Sequence, residues 1–197
     1  ICDADSVESA FGTAGPAAYV FHLAAYAAEG LSHFVRRFNY ENNVIGSVNI
    51  VNAAVRHRAK RVVFTSSMAV YGAQQPPFTE DMPASPCDPY GIAKFAVEID
   101  LGVAAAMWGL HHSIFRPHNV VGAYQHVGDD YRNVIGIWCR QIRRGAPMTV
   151  FGDGMQTRAL THVQDIVPCI VDSLACTKSL TCNIGGERVH SIQYLAN

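Results

Sequence analysis

The sequence predicts an α/β fold built on a doubly wound parallel sheet. Three observations carry this. Short apolar or β-branched runs recur at 17–25 (AAYVFHLAA), 61–67 (RVVFTSS) and 112–117 (HSIFRP). Each has the length and apolar content of a buried strand. Stretches of helical period, 44–59 and 90–110, separate them. Strands alternating with helices place the strands parallel, because each crossover returns the chain to the same end of the sheet.

In chain order, ICDADSVESAF opens as a strand end followed by a helix. The run 17–25 reads as a buried strand whose small closing residues leave room for a ligand. VIGSVNIVNAAVRHRA (44–59) has apolar residues at helical spacing and basic residues in its last turn, where the helix dipole favours them. RVVFTSS leads into a loop at 72–89 rich in Gly, Gln and Pro. A long helix follows, and then a strand stopped by Pro117. Beyond residue 120 the pattern predicts an amphipathic helix over 131–145 ended by Gly145, a short strand at 147–152, a helix over 162–175, and a strand and turn at 181–186.

The 197 residues are 49% hydrophobic and 16% charged, with a net charge of −1. A packed core is expected and disorder is not. No basic run is present, so nucleic acid is not expected as a partner. No apolar stretch is long enough to span a bilayer, and no membrane partner is expected. The six cysteines form no C-x-x-C pair and have no zinc-ligand spacing with the nine histidines, so no metal is expected. Scattered in apolar contexts, as Cys169 is in VPCIV, they read as small buried residues in a reducing cytoplasm. The His111-His112 pair reads as structural.

The chemistry-bearing feature is Tyr90 and Lys94 in PYGIAK, with Ser66 and Ser67 upstream in TSSMAVYG. Residues four apart on a helix share a face. An ammonium beside a phenol stabilises the phenolate and lowers its pKa from about 10. A tyrosine so placed can act as a base near neutral pH. A nearby serine hydroxyl can share the proton and hold a substrate oxygen.

Five segments, in order, resemble the extended short-chain dehydrogenase/reductase family and its nucleotide-sugar epimerases: VFHLAA (20–25), NNVIGSVNIVNAA (42–54), RVVFTSSMAVYG (61–72), PYGIAK (89–94) and RPHNVVG (116–122). A sixth, VFGDGMQTRALTHVQDIV (150–167), is similar to the family's substrate-domain signature. The resemblance implies a Rossmann-like fold, NAD as cofactor, a nucleotide-sugar substrate such as a UDP-hexose, and a homodimer packed through the helices at 44–59 and 90–110. It implies that residues 1–122 are a partial NAD-binding domain and that 123–197 alternate between substrate domain and sheet domain. No G-x-x-G-x-x-G turn precedes VFHLAA. The first βαβ units are therefore expected to be lacking here, and the chain is expected to be a fragment, a truncated reading frame or a trimmed chain.

The family pattern assigns Ser67, Tyr90 and Lys94 to catalysis. It assigns Ala24, Ala25, Asn42, Ser66, Tyr90, Lys94, Pro117 and His118 to the cofactor, and Ser67, Asn119 and Arg158 to the substrate. Arg132 and Asn133 are further candidates for touching the nucleotide. His22 is expected to be a packed strand residue. An Asp-Glu pair follows the catalytic hydroxyl in the family's 4,6-dehydratases, and a Glu in its decarboxylases. Here Met68 and Ala69 stand there, and neither can move a proton. Ala159 replaces the Asp that usually follows the arginine. Epimerisation at C4 by transient oxidation is the reaction implied. The alternatives are a nucleotide-sugar dehydrogenase or reductase of the same family, or an inactive binding fragment.

Overall fold

A computed structural model describes residues 1–15 and 19–197. Asp3 opens helix α1 (Ala4–Ala14) by accepting the Ser6 amide at 2.6 Å. Then come strand β1 (Tyr19–His22), the short helices α2 (Glu29–Ser32) and α3 (Arg36–Tyr40), a π-turn at Glu41–Ile45, and α4 (Gly46–Arg56). Strand β2 (Arg61–Thr65) passes through a 3-10 turn (Met68–Tyr71) and a loop to α5 (Pro89–Trp108). The helix α5 starts on the Asp88 cap with proline in its first turn, and it ends at Gly109, left-handed at φ 68°. Strand β3 (His111–Pro117), β4 (Val120–Val121), α6 (Val134–Arg143), β5 (Thr157–Ala159), β6 (Thr161–His162) and α7 (Val163–Asp172) follow. The chain then forms β7 (Leu180–Ile184), β8 (Val189–Ser191) and α8 (Ile192–Ala196).

The main sheet has the order β1-β2-β3-β7. Strands β1, β2 and β3 run parallel, in a register that aligns His22 with Phe64 and Thr65 with Phe115. Two small pairs lie apart from it: β4 parallel with β6, and β5 antiparallel with β8. The chain divides into two compact units. The first comprises Ile1–Arg116 and Ile170–Asn183, and the second Pro117–Cys169 and Ile184–Asn197.

The core of the first unit joins Val51 and Ala54 of α4, Val62 and Phe64 of β2, Val97, Leu101 and Ala104 of α5, and Ile114 of β3. Apolar burial of this kind is the main favourable term in folding. Arg61, also buried, ties β2 to its neighbours. Its guanidinium donates to His112 O and Ser113 Oγ on β3 and to the carbonyls of Cys176 and Lys178 ahead of β7. Among the described residues no helix is long and apolar enough to cross a membrane.

Three expectations are corrected. The run at 17–25 is not buried along its length. Residues 17 and 18 lie outside the described set, and Tyr19, Phe21 and Leu23, which fall on one face by the two-residue alternation, are exposed while His22 on the other face is buried. The segment 147–152 is not a strand. Side chains of α6 capture its backbone instead: Trp138 Nε1 donates to Thr149 O, and Gln141 Oε1 accepts the Thr149 amide. The cysteines are not buried either. Five are exposed and Cys182 is half-buried, all as free thiols. Cys169 faces outward from α7 because Ile166 and Ile170 occupy its inner face. On α5, Ile92, Ile99, Val103 and Met107 form an exposed apolar stripe at helical spacing.

Candidate active site

The first unit gathers polar side chains where β2 ends and α5 begins. Parallel pairing puts the ends of β1, β2 and β3 at one edge of the sheet, where open α/β sheets hold their ligands. The Ser66 amide donates to Phe115 O at 2.7 Å, which carries the sheet bonding one residue past β2. Ser67 then caps the 3-10 turn, its Oγ accepting the Ala69 amide at 3.1 Å. That leaves the Ser67 hydroxyl proton available to another acceptor. Met68 and Ala69 fill the turn with groups that cannot ionise.

Tyr90 is the second residue of α5 and is buried. Asp88 fixes this end of the helix by accepting the Tyr90 amide at 2.9 Å and the Gly91 amide at 3.0 Å. Ser32 donates to the same Asp88 oxygen at 3.4 Å, and Asn39 donates to Pro89 O at 2.9 Å. Gly91 lies directly on the Ser67 turn. A Cβ there would stand 2.5 Å from Ala69 O and 3.2 Å from Pro86 Cβ.

Lys94, one turn beyond Tyr90, is only 2% exposed. Its Nζ donates to Thr65 O at 2.7 Å and stands 4.7 Å from the Phe64 ring centre and 5.8 Å from that of Tyr90. Burial pulls the Lys94 pKa down to about 7, and the Glu98 carboxylate opposes that fall. An amine that titrates near neutrality beside a phenol suits proton transfer. His22 stacks on Phe64 at 5.4 Å and shares a hydrogen bond with Ser47 Oγ at 2.8 Å. Burial, followed by the Lys94 charge, lowers the His22 pKa to about 4, so this ring is neutral.

The remaining positions singled out in the sequence divide as follows. Ala24 is exposed and Ala25 half-buried, just past β1. Asn42 donates to Phe38 O on its own helix and accepts from Cys2 Sγ. The neighbouring asparagine, Asn43, is the buried one. It clasps Tyr26 on both backbone groups, at 2.7 and 3.0 Å, and donates to Asn39 Oδ1 at 2.8 Å. Sequence reasoning missed that role. In the second unit, the Pro117–Asn119 segment is held by the His118 amide donating to Ile184 O at 3.0 Å. Burial lowers the His118 pKa. Asn119 Nδ2 donates to Ala159 O at 3.2 Å, which brings it beside the strand that carries Arg158. Arg158 is exposed, with Nη1 on Thr157 O at 2.7 Å. Asn133 caps α6, accepting the Ile135 amide at 2.9 Å, and Arg132 pairs with Asp129.

A second feature missed in the sequence is a buried ion pair. Arg116 donates through Nε and Nη2 to Glu98 at 3.0 and 2.6 Å, and Ser66 Oγ donates to the same carboxylate. Arg116 Nη1 also donates to Tyr71 OH at 2.6 Å, and that hydroxyl donates to Asn183 Oδ1 at 2.9 Å. The available signal was the spacing 90, 94, 98, three ionisable residues four apart on one stripe of the helix.

A buried Tyr–Lys pair one turn apart, beside a serine-capped turn at the carboxyl edge of a parallel sheet, is an arrangement that could move a proton in a dinucleotide-type fold. The family model described as the NAD dependent epimerase/dehydratase family matches residues 1–185, and the chain belongs to that family. It is 34% identical over 154 residues to a UDP-glucose 4-epimerase of Mycolicibacterium smegmatis, covering 77% of this chain and 49% of that protein. It is also 34% identical over 184 residues to a UDP-N-acetyl-alpha-D-glucosaminuronate decarboxylase of Bacillus cytotoxicus, covering 90% and 56%. Among solved structures, the UDP-glucose 4-epimerase of Thermotoga maritima with UDP-glucose superposes with a TM-score of 0.92 at 29% identity, covering 98% of this chain and 63% of that one. The Thermus thermophilus UDP-glucose 4-epimerase complex with NAD gives 0.89 at 26% identity, covering 98% and 63%. The chain spans about half the length of the curated relatives it matches.

Proposed function

We propose that this chain carries the proton-transfer centre of an NAD-dependent nucleotide-sugar 4-epimerase acting on a UDP-hexose. The observation that carries the reading is Lys94, buried and held one turn from Tyr90. Its setting fits the nicotinamide end of NAD: Ala24 and Ala25 bring no bulk past the end of β1, and Lys94 offers donors at the end of β2. When bound, that cofactor supplies a reversible hydride acceptor. The chain's own residues do the rest. Tyr90 takes the proton from the sugar 4-hydroxyl and later returns it. Ser67 holds the same oxygen through its hydroxyl. Lys94 keeps the phenol acidic by its charge, and its remaining donors suit ribose hydroxyls. Asn43, rather than Asn42, braces the loop after β1 on the cofactor side, while Ser66 supports the turn.

In this reading the first compact unit serves the cofactor. Pro117 and His118 are read as cofactor contacts, and Asn119 and Arg158 as contacts to the substrate diphosphate. Loss of the proton from the 4-hydroxyl and of the hydride from C4, followed by return of both, needs no further acid. Elimination of water from C5 and C6 does need one, and Met68 and Ala69 provide none. Incubation with UDP-glucose and NAD should therefore yield UDP-galactose and no product lighter by one water. A 4-keto-6-deoxy sugar in the mass spectrum would refute the assignment. The apolar stripe of α5 supports a homodimer, because a second copy would cover Ile92, Ile99, Val103 and Met107. Sedimentation equilibrium at micromolar concentration should return twice the chain mass, and a monomer mass would remove this assembly.

A further inference from the structure

The buried carboxylate of Glu98 has no step in the reaction above, and its placement assigns it one. Glu98 lies one turn beyond Lys94 on α5 and is 7% exposed. Arg116 grips both of its oxygens and Ser66 donates to one of them, so the carboxylate is held from β3, from the end of β2 and from its own helix. A buried ion pair is weak evidence of stabilisation, since its desolvation offsets much of the attraction. Two contacts point to another use. Ser66 is the peptide neighbour of Ser67. Lys94 has Glu98 as the carboxylate that raises its proton affinity against the cost of burial.

Tyr90 on the same helix and the neutral His22 of β1 also face Lys94, and Arg116 of β3 binds Glu98 and Tyr71. We propose that Glu98 is a positioning residue. It anchors the Ser66–Ser67 segment and supplies the interior negative charge that holds Lys94 as an ammonium beside Tyr90. The proposal rests on the reading of Tyr90 and Lys94 as the proton-transfer pair.

The test titrates Lys94 directly in the full chain without cofactor. The other lysines are Lys60 and Lys178, so a 13Cε-lysine spectrum is simple, and the signal lost in Lys94→Met identifies Lys94. The wild-type midpoint should lie near 7. Glu98→Gln should lower it by about one pH unit or more, a tenfold change in the protonation equilibrium, and Glu98→Asp should restore most of the shift. Glu98→Gln leaves Arg116 buried and uncompensated and can unfold the chain on that account. The double variant Glu98→Gln/Arg116→Met removes both charges and should show a fall in the same direction but smaller, because the loss of the Arg116 charge opposes it. A Lys94 midpoint that stays in place or rises in either folded variant overturns the inference. Loss of the fold in both variants overturns it too, because the pair would then serve stability alone. The proton-transfer reading fails on a separate result, retained turnover in Tyr90→Phe.

Discussion

Tyr90→Phe should lower epimerase turnover roughly 10²–10⁴-fold, the range that general acid–base catalysis contributes. The ring stays, so the packing at the start of α5 should survive. The helix entry is held by backbone bonds to Asp88 that the substitution does not touch. NAD retention should therefore persist while the chemistry stops. Steady-state conversion of UDP-galactose, measured beside cofactor retention and a thermal melt, separates the two. Turnover near the wild-type value would take the proton-transfer role away from Tyr90. Lys94→Ala would not make as clean a comparison, because it removes the Thr65 contact and a buried charge together.

Arg158→Ala should weaken binding of UDP about ten- to a hundred-fold and leave NAD affinity nearly unchanged. An arginine–phosphate contact is charge-assisted, can be bidentate, and contributes roughly 1.5–3 kcal/mol. Each 1.4 kcal/mol is about a factor of ten in affinity. The motivation is local: Arg158 is exposed on β5, and Asn119 holds the carbonyl of the next residue. Arg158→Lys should recover only part of the loss, because a point charge does not reproduce the planar fork. Calorimetry with each ligand decides the matter. Unchanged UDP affinity would return Arg158 to an ordinary surface residue, and equal weakening of both ligands would indicate general damage to the fold.

What the sequence made legible was whatever repeats locally. The strands at 61–65 and 111–117 and the helix at 89–108 announce themselves by period and by their caps, and Tyr90 and Lys94 follow from spacing on one helix. What stayed hidden depends on partners distant in the chain. Glu98 and Arg116 meet across 18 positions, and neither segment alone tells that a carboxylate waits in the other. The strands β4, β5, β6 and β8, of two or three residues, are too short to show alternation. The choice between Asn42 and Asn43 is a matter of helical phase. Asn43 lies four residues from buried Asn39 and four from buried Ser47 and shares their inward face, whereas Asn42 is assigned by the family pattern and not by that spacing. The segment 147–152 has strand-like content, but α6 binds its backbone before a sheet can.

Gly91 sits in a helix, where glycine costs roughly 1 kcal/mol relative to alanine. Yet a methyl group at that position would press into the carbonyl of Ala69. The distance between the helix that carries the phenol and the turn that carries the hydroxyl is thus recorded in the chain as a missing atom. Alanine scanning ordinarily subtracts, and here it would add. Gly91→Ala should improve local helix propensity and still pry the two halves of the centre apart. A residue with no functional group would then score in a mutational survey like one of the reacting groups.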